Sequence, residues 1–285
     1  MEQVRHGSRR ASWARRTAAA MALVHPGPSL LVTAVTVAAG GLAHGGLPSA
    51  DLIARLVLIM LPAQFAIGAV NDLADLEPDR ATRPCKPLVT GMVSRRAALV
   101  VAAVCVAFSL AAAAWSGLGV LLVVIAGLGA GLSYDLGLKR SPLAVLCWWA
   151  GLAALPLAAY TVAGAWEASL LWEVPLAGLL SVSLLCANAL PDLDADRTAR
   201  AGSLPVRLGE SGTRRLGIAA ALATSVVCLA LIKPLGQSAA AMLVATGLFS
   251  VASLAAFGMA VRRPFPVVAT AAALLAVTWF ASLPR

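Results

Sequence analysis

The sequence predicts an all-α membrane protein, a bundle of nine transmembrane helices. Three observations lead there. Hydrophobic residues make up 60% of the 285 and charged residues only 12%, with a mean hydropathy of +0.86, whereas about a quarter of a soluble domain is charged. Apolar blocks near the length needed to cross a bilayer, roughly 20 residues, recur along the whole chain. The basic residues fall in alternate gaps between those blocks. Alternating ten-residue segments, the signature of a membrane β-barrel, are absent.

Taken in order, the apolar blocks run at about 20–43, 52–71, 97–115, 117–134, 142–164, 169–190, 213–233, 238–260 and 265–283. Each must satisfy its own backbone hydrogen bonds in lipid, so each is read as a helix. With the N-terminus inside, the cytoplasmic gaps hold 19 of the 22 lysines and arginines; Arg55, Lys233 and Arg285 are the exceptions. A wrong span count would scramble that partition, because positive charge accumulates on the cytoplasmic side. The reading is therefore an integral membrane protein, in the plasma membrane of a prokaryote, with its C-terminus outside. The formal charge of +9 reflects topology and attraction to lipid headgroups, and calls for no nucleic acid.

Residues 1–19 carry five arginines and read as a basic cytoplasmic arm. His25, Pro26 and Pro28 follow without a clear small-residue cleavage site, so the segment is taken as retained rather than as a signal peptide. Residues 20–285 read as one membrane-embedded domain. Cys85, Cys105, Cys147, Cys186 and Cys228 stand singly with no Cys-x-x-Cys pair, which suits ordinary packing residues.

The chemistry lies in an internal repeat. Asn71 to Arg80 and Asn188 to Arg197 both fit Asn-xxx-Asp-xxx-Asp-Arg, 117 residues apart, and both end an even-numbered span. On a helix, residues four apart turn by about 40° and rise by about 6 Å per step, so Asn71, Asp75 and Asp79 form one polar stripe and Asn188, Asp192 and Asp196 another. Carboxylates so arranged repel one another and are costly at a span end unless cations neutralise them. One copy alone would read as a solvated acidic helix end, but two matched copies on the same side ask for a cation. An oxygen-only donor set without His or Cys favours Mg2+, which completes its shell with substrate phosphate oxygens. Arg80, Arg83, Lys86, Lys139, Arg140 and Arg197 lie on the same side and suit the charge of a departing diphosphate.

These residues resemble the UbiA superfamily of intramembrane prenyltransferases. The first motif runs on into Arg83-Pro84-Cys85-Lys86-Pro87-Leu88 and Gly91-Met92-Val93-Ser94. The second leads to Ser203-Leu204-Pro205-Val206-Arg207-Leu208-Gly209, and Ser133-Tyr134-Asp135 with Lys139-Arg140 lies between. The resemblance implies a nine-helix bundle of the UbiA type that uses Mg2+ to ionise an isoprenyl diphosphate and pass the prenyl group to an aromatic or other lipophilic acceptor. It implies Asn71, Asp72, Asp75, Asp79, Asn188, Asp192 and Asp196 as the metal shell. It also implies Asp72, Asp75, Asp192, Asp196 and Lys139 as the catalytic set. Asn71, Arg80, Arg83, Lys86, Lys139, Arg140, Asn188 and Arg197 would face the diphosphate. Three departures stand out: Lys86 replaces an arginine, His25-Pro26 occupies a place where arginine is common, and Tyr134 and Lys139 are five apart rather than four.

Other readings remain open at this stage. The same cation could close on its own chain, as in a membrane terpene cyclase, or the paired acidic segments could belong to a cation transporter. Asp135 could orient Lys139, remove a proton, or simply pair with Lys139 or Arg140. Trp148, Trp149, Trp166, Trp172 and Trp279 could shield a cation with their ring faces or anchor span ends at the interface.

Overall fold

The computed structural model describes residue 19 and residues 21–199, 201–259 and 261–283. The basic arm expected over residues 1–19 lies outside these, Ala19 excepted. Among the described residues the secondary structure is entirely helical. The main helices are α1 (Pro26–His44), α2 (Ala50–Ala74), a short α3 (Leu76–Thr82), α4 (Arg95–Ser116), α5 (Leu118–Asp135) and α6 (Ala144–Val162). They continue with α7 (Glu173–Ala189), a short α8 (Leu193–Thr198), α9 (Leu204–Leu231), α10 (Ala239–Gly258) and α11 (Phe265–Ala281). Among the described residues eight helical stretches are long and apolar enough to cross a membrane, and α11, at 17 residues, is a ninth and shorter one. Side chains such as Leu99, Val104, Leu122, Val226, Val244 and Val251 project from them uncovered, as lipid-facing residues do.

The ends of the helices follow local chemistry. Ser49 accepts the Leu52 N–H at 3.2 Å and Ser94 the Ala97 N–H at 3.1 Å, so both cap the first turn of the helix that follows. Gly45, with φ 86°, closes α1 in the left-handed conformation open to glycine.

Small residues let the helices approach closely, and buried hydroxyls tie them together. Ser109 of α4 donates to the Ile59 carbonyl of α2 at 2.8 Å, and Ser225 of α9 meets Ser250 of α10 at 2.9 Å. The largest apolar core joins α7, α9, α10 and α11 around Phe249, Phe257 and Trp279. A second joins α2, α3 and α4 around Ala69, Leu76, Leu88 and Ala98, directly beneath the first aspartate segment.

Three expectations need correction. The first block is not one helix: it breaks at His25, whose φ of 48° and ψ of 62° are left-handed, and α1 starts at Pro26. The two aspartate stripes do not continue straight helices. Pro78 supplies no N–H for the Ala74 carbonyl and ends α2 there, while Pro191 does the same to Ala187, so a 3₁₀ turn, Leu190–Asp192, follows α7. The seventh block starts earlier than expected, at Leu204, and turns at Gly209 (φ 69°) before the long segment.

The contact between α9 and α10 gives a stability test. A Cβ on Gly217 would collide with the ring of Phe257, which is 1% exposed. Gly217→Ala should lower stability by about 1–3 kcal/mol through overpacking, read as a fall in the thermal midpoint of detergent-purified protein, and Gly217→Ala with Phe257→Leu should recover part of it.

Candidate active site

Hydrogen bonds draw the ends of α2 and α5 together, and the charges of the α7–α8 segment act at the same end of the bundle. Across the bend at Asp75 the backbone keeps its four-residue rhythm, with Asp75 N–H on the Asn71 carbonyl at 2.9 Å and Asp79 N–H on the Asp75 carbonyl at 2.8 Å. The side chains nevertheless separate into two groups. Asp72 and Asp79, seven residues or about two turns apart, fall on one side. Asn71 and Asp75 turn to the other.

In the first group, the Lys86 ammonium donates to Asp72 Oδ1 at 2.7 Å and to Asp79 Oδ2 at 2.6 Å, distances typical of charge-assisted bonds. His25 Nε2 lies 2.9 Å from the same Asp72 oxygen. Both carboxylates are buried. The loop carrying Lys86 is held in place: Leu88 is buried against Leu76 and Ala98, and the Lys86 carbonyl accepts from the Thr90 N–H at 2.9 Å. Burial alone would pull the ammonium down, but the hydrogen bonds and charges of Asp72 and Asp79 outweigh it and hold Lys86 above the ordinary lysine value of 10.5. While the two carboxylates stay ionised, the lysine's share of the clasp is therefore full below that value and is lost as pH rises through the still higher folded value.

His25 reaches Asp72 because the backbone before α1 leans on α2. A Cβ on Gly68 would meet His25 Cδ2 at 3.0 Å and the Val24 carbonyl carbon and oxygen at 3.2 Å, so glycine is what admits the turn. A left-handed histidine costs on the order of 1–3 kcal/mol; packing on Gly68 and the bond to Asp72 hold it there.

In the second group, Lys139 donates to both oxygens of Asp75 at 2.7 Å and lies 4.0 Å from Asp135. Asn71 Nδ2 donates to Asp135 Oδ1 at 2.8 Å. Asp135 therefore pairs with the first motif as well as standing one helical turn from Lys139. The five-residue step from Tyr134 to Lys139 spans the end of α5 and a 3₁₀ turn, Leu138–Arg140, so helical facing does not apply across it. That turn is stapled to the second half of the chain by the Gly202 N–H on the Arg140 carbonyl at 2.8 Å.

The second aspartate segment stands beside this group. Asp196 is half-buried, whereas Asn188, Asp192 and Asp194 are exposed. The charges of Asp192, Arg140, Lys139 and Asp75 all act on Asp196, so the two segments share one electrostatic site. The Asp192 and Asp196 side chains accept no hydrogen bond from another described residue. Among the cations named from sequence, Lys86 and Lys139 are brought into the site and Arg140 stands at its edge. Arg83 and Arg197 are exposed. Arg80 lies on the outside of α3, its guanidinium 3.7 Å from Glu77, and the structure does not bring it to the carboxylates.

A cavity of about 340 Å³ opens next to the polar cluster, lined mostly by apolar surface and bounded by His25, Gln64, Gly68, Asn71, Tyr134 and Trp148 among others. Tyr134 and Trp148 meet edge to face at 6.3 Å, and Trp148 meets Phe265 in the same way at 6.1 Å. Trp149 instead donates to the Val174 carbonyl, Trp279 is buried in the core, and Trp166 and Trp172 are exposed. Sequence reasoning passed over Gln64 and Gly68; both sit in turns of α2 just before Asn71, where the helical period would have aimed them at the same face.

The donor set suits a hard divalent ion: it offers carboxylate and amide oxygens, two of the carboxylates being unpaired. Among the described residues no three His, Cys, Asp or Glu side chains gather closely enough to enclose a metal alone.

A helical integral-membrane protein with an acidic cluster at one end of its bundle and an apolar cavity beside it is thereby defined. The chain belongs to the UbiA prenyltransferase family, whose profile matches residues 30–279, and it is a prenyltransferase. It is 26% identical over 197 residues to digeranylgeranylglyceryl phosphate synthase of Pyrococcus abyssi, covering 66% of this chain and 68% of that protein. Its fold is that of a UbiA homolog from Aeropyrum pernix K1, with a TM-score of 0.70 at 23% identity over 86% of this chain and 95% of the other. It is also that of a UbiA homolog from Archaeoglobus fulgidus bound to DMAPP and Mg2+, with a TM-score of 0.71 at 19% identity over 91% and 97%.

The His25 docking is testable. Gly68→Val should push Val24 and His25 off α2, reduce prenyl transfer on the order of tenfold or more through misplacement of Asp72, and lower the thermal midpoint. Gly68→Ala should do the same to a smaller degree, in parallel assays of transfer and unfolding.

Proposed function

We propose that this prenyltransferase ionises an isoprenyl diphosphate with Mg2+ at the cytoplasmic face and transfers the prenyl group to a lipophilic acceptor. The observation that carries the proposal is the shared electrostatic site of Asp75, Asp192 and Asp196 beside Lys139 and Arg140, with the mostly apolar cavity adjoining it. Asp75, Asp192 and Asp196, with Asn71 and Asn188, are the groups that would hold Mg2+. When bound, the ion supplies positive charge to the diphosphate oxygens as the allylic C–O bond breaks.

The rest falls to this chain's own side chains. Lys139 grips Asp75 and can turn its ammonium to a phosphate oxygen, and Arg140 and Arg197 offer further donors at the rim. The cavity wall excludes water from the prenyl tail, and the faces of Tyr134 and Trp148 suit a developing carbocation. Asp135, anchored by Asn71, orients Lys139. Transfer to an acceptor is favoured over ring closure by the relative from Pyrococcus abyssi, named as a digeranylgeranylglyceryl phosphate synthase. The acidic cluster at one end of the bundle, beside lysines, argues against a cation path through its middle.

The test is diphosphate release by purified protein given Mg2+ and DMAPP or longer isoprenyl diphosphates. Asp75→Asn, Asp192→Asn and Asp196→Asn should each cut release by about 10²–10³-fold, and chelation with EDTA should abolish it until Mg2+ is restored. A hydrocarbon or terpene alcohol formed without acceptor would replace transfer by cyclisation. Intact release in these variants together with lost cation flux in vesicles would replace both by transport.

A further inference from the structure

The two aspartate segments match as sequence but differ in what their carboxylates hold. Asp192 and Asp196 accept no hydrogen bond from a described residue, Asp192 being exposed and Asp196 half-buried. Asp72 and Asp79 are 2% and 4% exposed, and the Lys86 ammonium already bridges them at 2.7 and 2.6 Å. We propose that Lys86 is a built-in counter-ion that takes the place of a divalent ion between Asp72 and Asp79, so that metal binding in this chain rests on Asp75 and the second segment. This deepens the reading above and rests on it for the second segment alone.

Three features separate Lys86 from a lysine caught on a surface carboxylate. Its side chain is 15% exposed and each carboxylate it touches is nearly closed to solvent, so the ion pair is screened little. Its backbone is fixed on both sides, by the bond of its N–H to the Arg83 carbonyl and by the bonds of Thr90 to its own carbonyl, while Leu88 is sunk in the core below. The Asp72 oxygen it uses also faces His25, so no lone pair there is aimed at open space. A Mg2+ ion entering between Asp72 and Asp79 would have to expel a buried ammonium and leave it unpaired, which is strongly unfavourable. It would also need near-octahedral room for waters, in a place filled by the lysine stem.

Lys139 is as well covered as Lys86, at 16% exposed, and differs in the carboxylates it meets: it bonds Asp75, which is 20% exposed, and lies 4.0 Å from Asp135. It stands on a 3₁₀ turn whose neighbouring field contains Asp196 as well. Withdrawing it from Asp75 leaves it among other acceptors and near any diphosphate. Asp72, Asp79 and Lys86 are thus a closed clasp, and Asp75 with the second segment is the open half of the site.

The experiment counts Mn2+ bound to full-length protein in detergent by electron paramagnetic resonance, with the metal alone as probe. Asp79→Asn should leave the number and affinity of ions on the otherwise native chain unchanged, and Asp196→Asn should weaken binding tenfold or more. Lys86→Met should gain one ion, and that ion should disappear in Lys86→Met with Asp79→Asn; Lys86→Arg should keep the native count. Loss of a bound ion in Asp79→Asn, or an unchanged count in folded Lys86→Met, would overturn the proposal. If Lys86→Met does not fold, the Asp79→Asn and Lys86→Arg counts still decide. Native protein that binds no Mn2+, with Lys86→Met binding one, would uphold the clasp and remove the metal reading of the second segment.

Discussion

Carboxylates buried at the end of a membrane bundle are the constraint around which the rest is arranged. Each ionised aspartate taken from water costs several kcal/mol unless it is paired and hydrogen-bonded, and Asp72, Asp79 and Asp135 are all buried here. The chain meets that cost with groups brought from distant elements. Lys86 comes from the loop after α3, His25 from the turn before α1, Asn71 from α2 and Lys139 from the turn after α5. The loops at this end are therefore folded inwards by charge, while apolar anchors such as Leu88 set how far they reach.

Backbone irregularities cluster where those groups must be delivered. Left-handed His25, the bend at Asp75, the 3₁₀ turn at Leu190–Asp192 and the break at Gly209 all lie at or beside the acidic end. Straight helices would keep each stripe on a single face. Here Asp72 and Asp79, about two turns apart, face one lysine while Asp75, at the bend, faces another. Strain of this kind persists only where surrounding contacts over-determine it, and Gly68 shows how closely they do so for His25.

The bilayer made much of this architecture readable from sequence. Helical spans are forced by the need to satisfy backbone groups in lipid, so among the described residues eight apolar blocks match stretches long enough to cross and the ninth matches the shorter α11, with differences at the ends. Arg55, an exception to the charge partition, is paired with Asp51 at 2.9 Å and lies 5.5 Å from the centre of the Trp115 ring. The candidate site was legible as a set of residue types because the repeat carries seven of the 13 acidic residues and Asp135, between its two copies, is an eighth. What sequence did not reveal is who holds whom. The stripe argument treated the motif as one helix, and Pro78 and Pro191, both visible in the sequence, show why it is not. The His25 contact depends on a left-handed turn and on a glycine in another helix, neither of which has a local periodic signal.

The clasp also bears on how a duplicated motif can diverge. Two matched acidic segments need not perform the same task once one of them acquires a resident cation. A lysine between two aspartates neutralises charge at all times, with fixed geometry and no dependence on ion concentration. A divalent ion does so only when bound, but arrives with open positions for phosphate. A fixed cation suits a segment that must hold the helix ends together while substrates come and go. An exchangeable one suits the segment that must recognise a diphosphate and later release it. The exposures follow that division, closed at Asp72 and Asp79 and open at Asp192, which places the structural part of the site at Asp72 and Asp79 and its ligand-exchanging part at Asp75 and the α7–α8 segment.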